Sequence, residues 1–491
     1  MAVGPLVYWW GGTGSAPPVV ASDKFTPKFL IGNAPAGDGT SPSVAGFNYI
    51  LDPGDGSGIL LAVAAITSGD IHIRQGTYAF PVGTTLNVPA NVKISGAGRG
   101  NTLISNANFV LAAGASLADL SSAAPPGFAA VSASAAKGLL RDVSLFSTTV
   151  GISVGGTGVF SIENVDVTIS TQVGPAILAG GAVEVVCQNL RTTGSLTSVD
   201  VQGAVFKCDN GSFVGASKAF NNKNGRVSFS NTTFQAVGGT VMTFGDITDS
   251  FFENCFVTGT NCMDFSSSNT CDGLTFDSCE FTGTTTCVTN LSPGGTARNV
   301  HFRDCRMTAG AITLSVPKDV FNFSILDTTV TSTGATAVFL NTEAFIRGST
   351  FVSTGGAALV TIHPDCRVSD TVLRGLASTP ALEVLSGNSS FSSVFVYGGG
   401  VHLGLNVDGC SFVNSRVDIT AAAPVPLAAI LVEGSGNTFG LITYTPAATP
   451  SVHFTAASAN NIVLSVVGFG ANPTVVSDLG TNNEVAHNIG I

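Results

Sequence analysis

A six-residue frame recurs down this chain and restricts its fold more than any other feature. Its clearest copies are Phe252-Glu-Asn-Cys-Phe-Val257, Phe276-Asp-Ser-Cys-Glu-Phe281 and Phe302-Arg-Asp-Cys-Arg-Met307. Each is an apolar residue, a short polar residue two on, and a second apolar residue five on. The frame returns at Leu140, Ile162, Cys187, Cys208, Phe229, Ile325, Ile346, Val368 and Phe391, a mean period of about 23 residues. A second apolar column advances with it: Ile152, Ile177, Val199, Ala219, Val241, Cys262, Cys287, Ile312, Val338, Leu359 and Leu382. Two columns moving together place at least two strands in every period.

Few architectures repeat at that length. The Leu-x-x-Leu-x-Leu pattern of leucine-rich repeats is absent, and helical repeats need about 33 residues or more. A parallel β-helix fits, because each coil is one period and a corner absorbs inserted residues. Coils rise by one strand spacing of about 4.8 Å, so Cys255, Cys279 and Cys305 stack in one column and Cys262 and Cys287 in another. That spacing exceeds the Cβ separation of about 3.8 Å that a disulfide prefers, which predicts reduced, buried thiols. Phe229, Phe252, Phe276 and Phe302 read as a core stack of rings. The recurring Asn164, Asn189, Asn210, Asn231, Asn254, Asp304, Asp327 and Asp370 suit corners, where Asn and Asp bond to backbone and tolerate left-handed conformations.

Composition agrees. Of 491 residues 44% are apolar and only 10% charged, with a net charge of −11. Apolar content with little charge excludes a disordered chain and a charged coiled coil, and the negative balance argues against a nucleic-acid partner. Like charges repeated at every coil would repel along a solenoid, so Ser, Thr and Asn take the outward positions. No apolar run is long enough for a spanning helix, and the start of the chain lacks the basic and apolar regions of a secretory signal. The sequons at Asn210, Asn231, Asn290, Asn322 and Asn388 are expected from an Asn/Ser/Thr-rich composition alone.

Ahead of the repeats, Asp52-Pro-Gly-Asp-Gly-Ser-Gly58 precedes the apolar segment Ile59–Ile66, and Ser57 is placed to cap a helix over 58–67. Gly76-Thr77-Tyr78 and then Gly96-Ala97-Gly98 follow. In order and type these elements resemble the start of pectate-lyase-like right-handed parallel β-helices, especially those of phage tailspikes. In those proteins a short amphipathic helix covers the open first coil, a strand ending in Gly-x-Tyr follows, and a further strand leads into a Gly-x-Gly turn. The resemblance spans residues 45–105, and the coil period extends it to about 440. It implies an all-β, right-handed parallel β-helix with a short N-terminal capping helix. The domain reading is an N-terminal arm over 1–46, a helix-capped entry over 47–105, coils over 106–440, and last coils or a C-terminal trimer tip over 441–491. The arm holds both tryptophans, Trp9 and Trp10.

The resemblance implies a virion structural protein of a bacteriophage, a tailspike, fibre or head-spike. Such a protein is assembled in the host cytoplasm as a homotrimer, joined to other virion proteins through the arm around Trp9 and Trp10, and contacts a host surface polysaccharide. The alternative is a polysaccharide depolymerase, a glycosidase or lyase, on the same scaffold. Its catalytic candidates are Glu253, Asp277 and Glu280, beside Asp264, because equivalent positions on adjacent coils bring carboxylates within the range a glycosidase needs. Yet Arg303 follows Asp277 by one coil and Arg306 follows Glu280, the pattern of a surface charge ladder. Glu163 and Asp166 form a weaker pair. None of the Asn-Thr-Asp, Asp-Asp, Gly-His-Gly or Arg-Ile-Lys strings of polygalacturonases occurs. His301 and His363 lack a nucleophile at a telling spacing, and no motif points to a cofactor or a metal.

Overall fold

The computed structural model describes residues 28–32, 48–134, 137–171, 173–265, 270–289, 296–316, 320–376, 378–405, 407–419, 429–445, 452–468, 476–486 and 488–490. Trp9, Trp10, most of the arm and Asn290 lie outside them. The protein is an all-β parallel solenoid of about 17 turns, with one short helix among the described residues. It divides into two compact units, Met1–Thr233 and Phe234–Ile491.

Strand pairing reproduces the first repeat column residue for residue. In the first unit Ile71, Ile94, Leu117, Leu140, Ile162, Cys187, Cys208 and Phe229 are consecutive partners. In the second unit the column runs Phe252, Phe276, Phe302, Ile325, Ile346, Val368, Phe391, Phe412 and Phe439. All of these are buried. The phenylalanines stack as expected: Phe276 lies 4.9 Å from Phe252 and 5.1 Å from Phe302, centroid to centroid, nearly parallel to both. Pairing persists to the end of the chain, where Val452–Phe454 partners Val476–Asp478 and Val466–Gly468 partners Asn488–Gly490.

The second column needs correction in its middle. Val199 pairs with Phe220 rather than Ala219, and the partners of Val338 and Val288 meet at Leu314 rather than Ile312. Ala219 and Phe220 are both buried, as are Val241 and Met242. Where two consecutive residues point inward at a bend, apolar character alone does not identify the aligned one. The register shifts between Thr192 and Thr197 and between Gly259 and Asn261 lie in this region.

Corners are set by left-handed residues, one in each coil. Asp119, Asp142, Asn164, Asn189, Asn210 and Asn231 form this column in the first unit. Asn254, Ser278, Asp304, Asp327, Gly348, Asp370, Ser393, Asn414 and Leu441 form it in the second, and φ along both runs lies between 49° and 65°. Short polar side chains that bond locally, and glycine, occupy this region at least cost; the structure does not explain Leu441 there. Sequons Asn210, Asn231, Asn322 and Asn388 all have left-handed φ, so corner geometry accounts for these asparagines.

The residue after each corner explains three of the cysteines. Thr328, Ser349, Thr371 and Ser415 turn inward and donate to the carbonyl two residues back, at 2.8, 3.0, 2.7 and 3.0 Å. Cys255, Cys279 and Cys305 occupy the same slot and make the same bond through sulfur, at 3.4, 3.3 and 3.2 Å. A thiol here is a hydroxyl substitute that tolerates burial better. All ten cysteines are free and buried.

The entry helix spans Ser57–Ala65, and Ser57 does not cap it. Gly56 holds the N-cap position with φ 77°, a conformation glycine takes without penalty. The cap is the fully buried Asp52, whose carboxylate accepts from the backbone N–H groups of Gly54 (2.8 Å), Gly56 (3.1 Å) and Ile59 (3.2 Å). Its seven-residue reach across the Gly-rich turn is why a local capping rule passed over it. At the following turn a Cβ on Gly96 would stand 2.3 Å from the Asp119 carbonyl oxygen, so the packing of the next coil requires glycine there.

Candidate functional site

The sequence-predicted carboxylates lie on the second unit. Glu253, Asp277 and Arg303 are register partners on three successive coils, and Glu280 is the partner of Phe256 on one side and Arg306 on the other. Arg303 Nε donates to Asp277 Oδ2 at 3.1 Å, and its Nη2 binds the same oxygen. Ser278 Oγ adds a bond to Oδ1 at 3.1 Å. The hydrogen-bonded Arg303 guanidinium holds the Asp277 carboxyl below the usual carboxylate range, against a smaller opposing effect of burial. A carboxylate so held is a poor proton donor. Glu253 is exposed. Asp264 stands apart from this group: it aligns with Thr243 and Thr289, at the opposite end of its strand from Phe256. In the first unit Glu163 aligns with Arg141, and Asp166 accepts from Arg99 Nη1 at 2.7 Å, so these two do not form an isolated dyad either.

Three histidines are engaged in structure. His301 Nδ1 lies 2.7 Å from Ser324 Oγ, and burial pushes its pKa down. His363 Nδ1 donates to the Pro364 carbonyl at 2.7 Å. His402 was not singled out by sequence, because its partners lie 19 and 31 residues away. Its Nε2 is 3.1 Å from Glu433 Oε2 and its Nδ1 is 3.6 Å from Glu383 Oε1, which links three neighbouring coils.

A feature that sequence reasoning read only as corners is a groove on the first unit. The left-handed Asn164, Asn189, Asn210 and Asn231 stack along one edge, and with Arg191 and Ser212 they line a concavity of about 480 Å³. All four asparagines and Arg191 are exposed. The end members are tied down: Asn164 Nδ2 donates to Asp142 Oδ1, and Asn231 Nδ2 donates to Asp209 Oδ1 at 2.9 Å. Asn231, then Ser230, hold the Asp209 carboxyl below its ordinary range. The groove therefore offers amide donors and acceptors at about one strand spacing, 4.8 Å, with one guanidinium beside them. The corner signal was visible in the sequence. That stacked corners enclose a polar groove beside Arg191 follows only from the coil register.

No protein-family model matches this chain, and no curated protein sequence matches it. Several solved β-helical structures are similar in fold. The N-terminal fragment of gene product 12 of bacteriophage Phi29 is similar over 89% of this chain and 91% of its own, with 12% identity and a TM-score of 0.32. The tailspike protein of E. coli bacteriophage HK620, solved with a pentasaccharide, covers 88% of this chain and 74% of its own, at 9% identity and a TM-score of 0.30. A PL6 alginate lyase with a bound trisaccharide covers 86% of each chain at 10% identity and a TM-score of 0.29. At these identities the likeness is one of fold.

Proposed function

We propose that this chain is a bacteriophage virion component, a tailspike, fibre or head-spike, whose solenoid binds a polysaccharide of the host surface along its side. The carrying observation is the first-unit groove, where Asn189 and Asn210 on adjacent coils repeat the same amide beside Arg191. A ladder of amides suits a polymer of hydroxyl-rich units, because each amide both donates and accepts. The helix-capped entry and the weakly charged exterior support the same reading. On it, three chains associate as a homotrimer, and the arm around Trp9 and Trp10 joins the spike to other virion proteins. The binding test uses the full chain on immobilised bacterial capsular polysaccharides and lipopolysaccharide O-chains. Retention by at least one glycan is expected, and Arg191→Ala together with Asn189→Ala weakens it about tenfold or more. Retention by none sinks the reading. Sedimentation at micromolar concentration tests the trimer.

The register of Glu253 with Asp277 favours one alternative, a depolymerase, because paired carboxylates about 5 Å apart suit a retaining glycosidase. Release of reducing ends from a bound glycan, lost in Glu253→Gln and in Asp277→Asn, would establish it. Glu280→Gln tests the third candidate in the same assay.

A further inference from the structure

On the second unit the strands Val372–Arg374, Phe395–Tyr397 and Ser411–Asp418 lie side by side. Leu373, Val396 and Val417 point into the core, so the residues flanking each of them face outward. Two outward columns result, Val372–Phe395–Arg416 and Arg374–Tyr397–Asp418. Earlier coils place Thr329 and Thr331 at these two positions, then Thr350 and Val352, and Thr443 follows Arg416. Aromatic rings therefore follow two coils of small residues, and further back the first column carries Phe256, Glu280 and Arg306. Phe395 is 38% exposed. It stands two residues from Tyr397 on the same strand, about 6.6 Å away on the same side of the sheet.

Charged groups frame the rings. The Arg374 guanidinium lies over the Tyr397 ring, 5.4 Å from its centroid, and forms no ion pair among the described residues. Arg416 Nη2 is 3.5 Å from Asp418 Oδ2. The array therefore combines two apolar rings, two fork-shaped donors and one carboxylate acceptor within three strands.

We propose that Phe395 and Tyr397, framed by Arg374, Arg416 and Asp418, form a platform for one or two pyranose rings of a glycan. It is a second contact point, separate from the Asn-lined groove, and it rests on the reading that the chain binds polysaccharide. The apolar C–H face of the sugar lies on the Phe395 ring, with Tyr397, covered on one face by Arg374, at its edge. Its hydroxyls accept from the two guanidiniums and donate to Asp418. Size selects this occupant: three strands span about 10 Å across and the ring pair about 7 Å along, far below the roughly 800 Å² per partner of a stable protein interface. Charge disfavours a nucleic acid, since a chain of net charge −11 repels a phosphate backbone.

The test uses the full chain on the same array of capsular polysaccharides and O-chains. Phe395→Ala and Tyr397→Ala should each weaken retention about tenfold or more, and Arg416→Ala should weaken it less. Phe395→Leu keeps the apolar packing and removes the ring. It should weaken retention like the alanine variant, which separates stacking from a folding defect that a melting curve would also show. If the wild-type chain binds, loses binding in Arg191→Ala and keeps it in Phe395→Leu and Tyr397→Ala, the platform is refuted while the polysaccharide reading stands. If the wild-type chain binds no glycan, both fall.

Discussion

Replacing Phe276 by alanine tests whether the stacked column carries local or global stability. The ring is fully buried and nearly parallel to Phe252 at 4.9 Å and Phe302 at 5.1 Å, with Phe281 edge-on at 5.4 Å. Removing a buried Phe costs about 3–5 kcal/mol in transfer and cavity terms. Each aromatic pair lost adds about 0.5–1.5 kcal/mol beyond its area, so the loss belongs at the upper end, near 5 kcal/mol. In a solenoid each coil contacts only its neighbours, and the loss should therefore concentrate on three coils. Native-state hydrogen exchange reads this directly. Amides in Ile247–Glu253, Cys271–Asp277 and Ala297–Arg303 should exchange about four-thousandfold faster, since each 1.4 kcal/mol is tenfold. Those in Leu382–Val384, Val401–Leu403 and Ile430–Val432 should change little. Phe276→Leu keeps most of the burial and should cost about 1–2 kcal/mol. Equal acceleration across all six strands, or less than tenfold in the first three, would refute the nearest-neighbour argument.

The thiol slot predicts that Cys279→Ser changes stability by no more than about 1 kcal/mol, because a hydroxyl makes the same backward bond at adjacent corners; a larger fall in the denaturation midpoint would refute the equivalence. All ten cysteines are buried, and burial pushes Cys271 and Cys366 up to about 12 and Cys410 up to about 11; a thiol reagent at pH 8 should find none of the ten accessible until denaturant is added. Burial also lowers the pKa of His301. The unfolded chain then takes up the proton first, and stability falls as the pH drops below the ordinary histidine value of about 6.5. His301→Asn should flatten that slope in denaturation curves measured between pH 7 and pH 5, and an unchanged slope would count against it.

Legibility differed between core and surface for a physical reason. The column through Leu140, Phe276 and Phe391 was readable because each member is followed two residues on by a short polar corner residue, which fixes the frame without ambiguity. At Ala219 and Phe220 two neighbours are both inward, so hydrophobicity could not choose between them and only backbone pairing did. The cap escaped for a similar reason: Asp52 reaches Ile59 across a turn whose path depends on glycine conformation. The ladder through Glu253, Asp277 and Arg303 was legible because opposite signs one period apart must meet once the coil is known.

Surface sites were harder to read because they are assembled from residues chosen for other work. Asn189 and Asn210 stand at corners because left-handed backbone favours asparagine. Their stacking lays exposed amides in a row without any residue being spent on binding alone. Arg191 departs from that economy: its register partner Asp166 is already bonded by Arg99, so the guanidinium is not needed to answer that charge. The same holds for Phe395 and Tyr397, which stand in columns where earlier coils carry Thr329, Thr331, Thr350 and Val352. On a scaffold whose default exterior is Ser, Thr and Asn, residues the fold does not require are the ones that point to a bound partner. By that criterion Arg191 and the Phe395–Tyr397 pair rank above Asp277, whose charge is already answered within the ladder by Arg303.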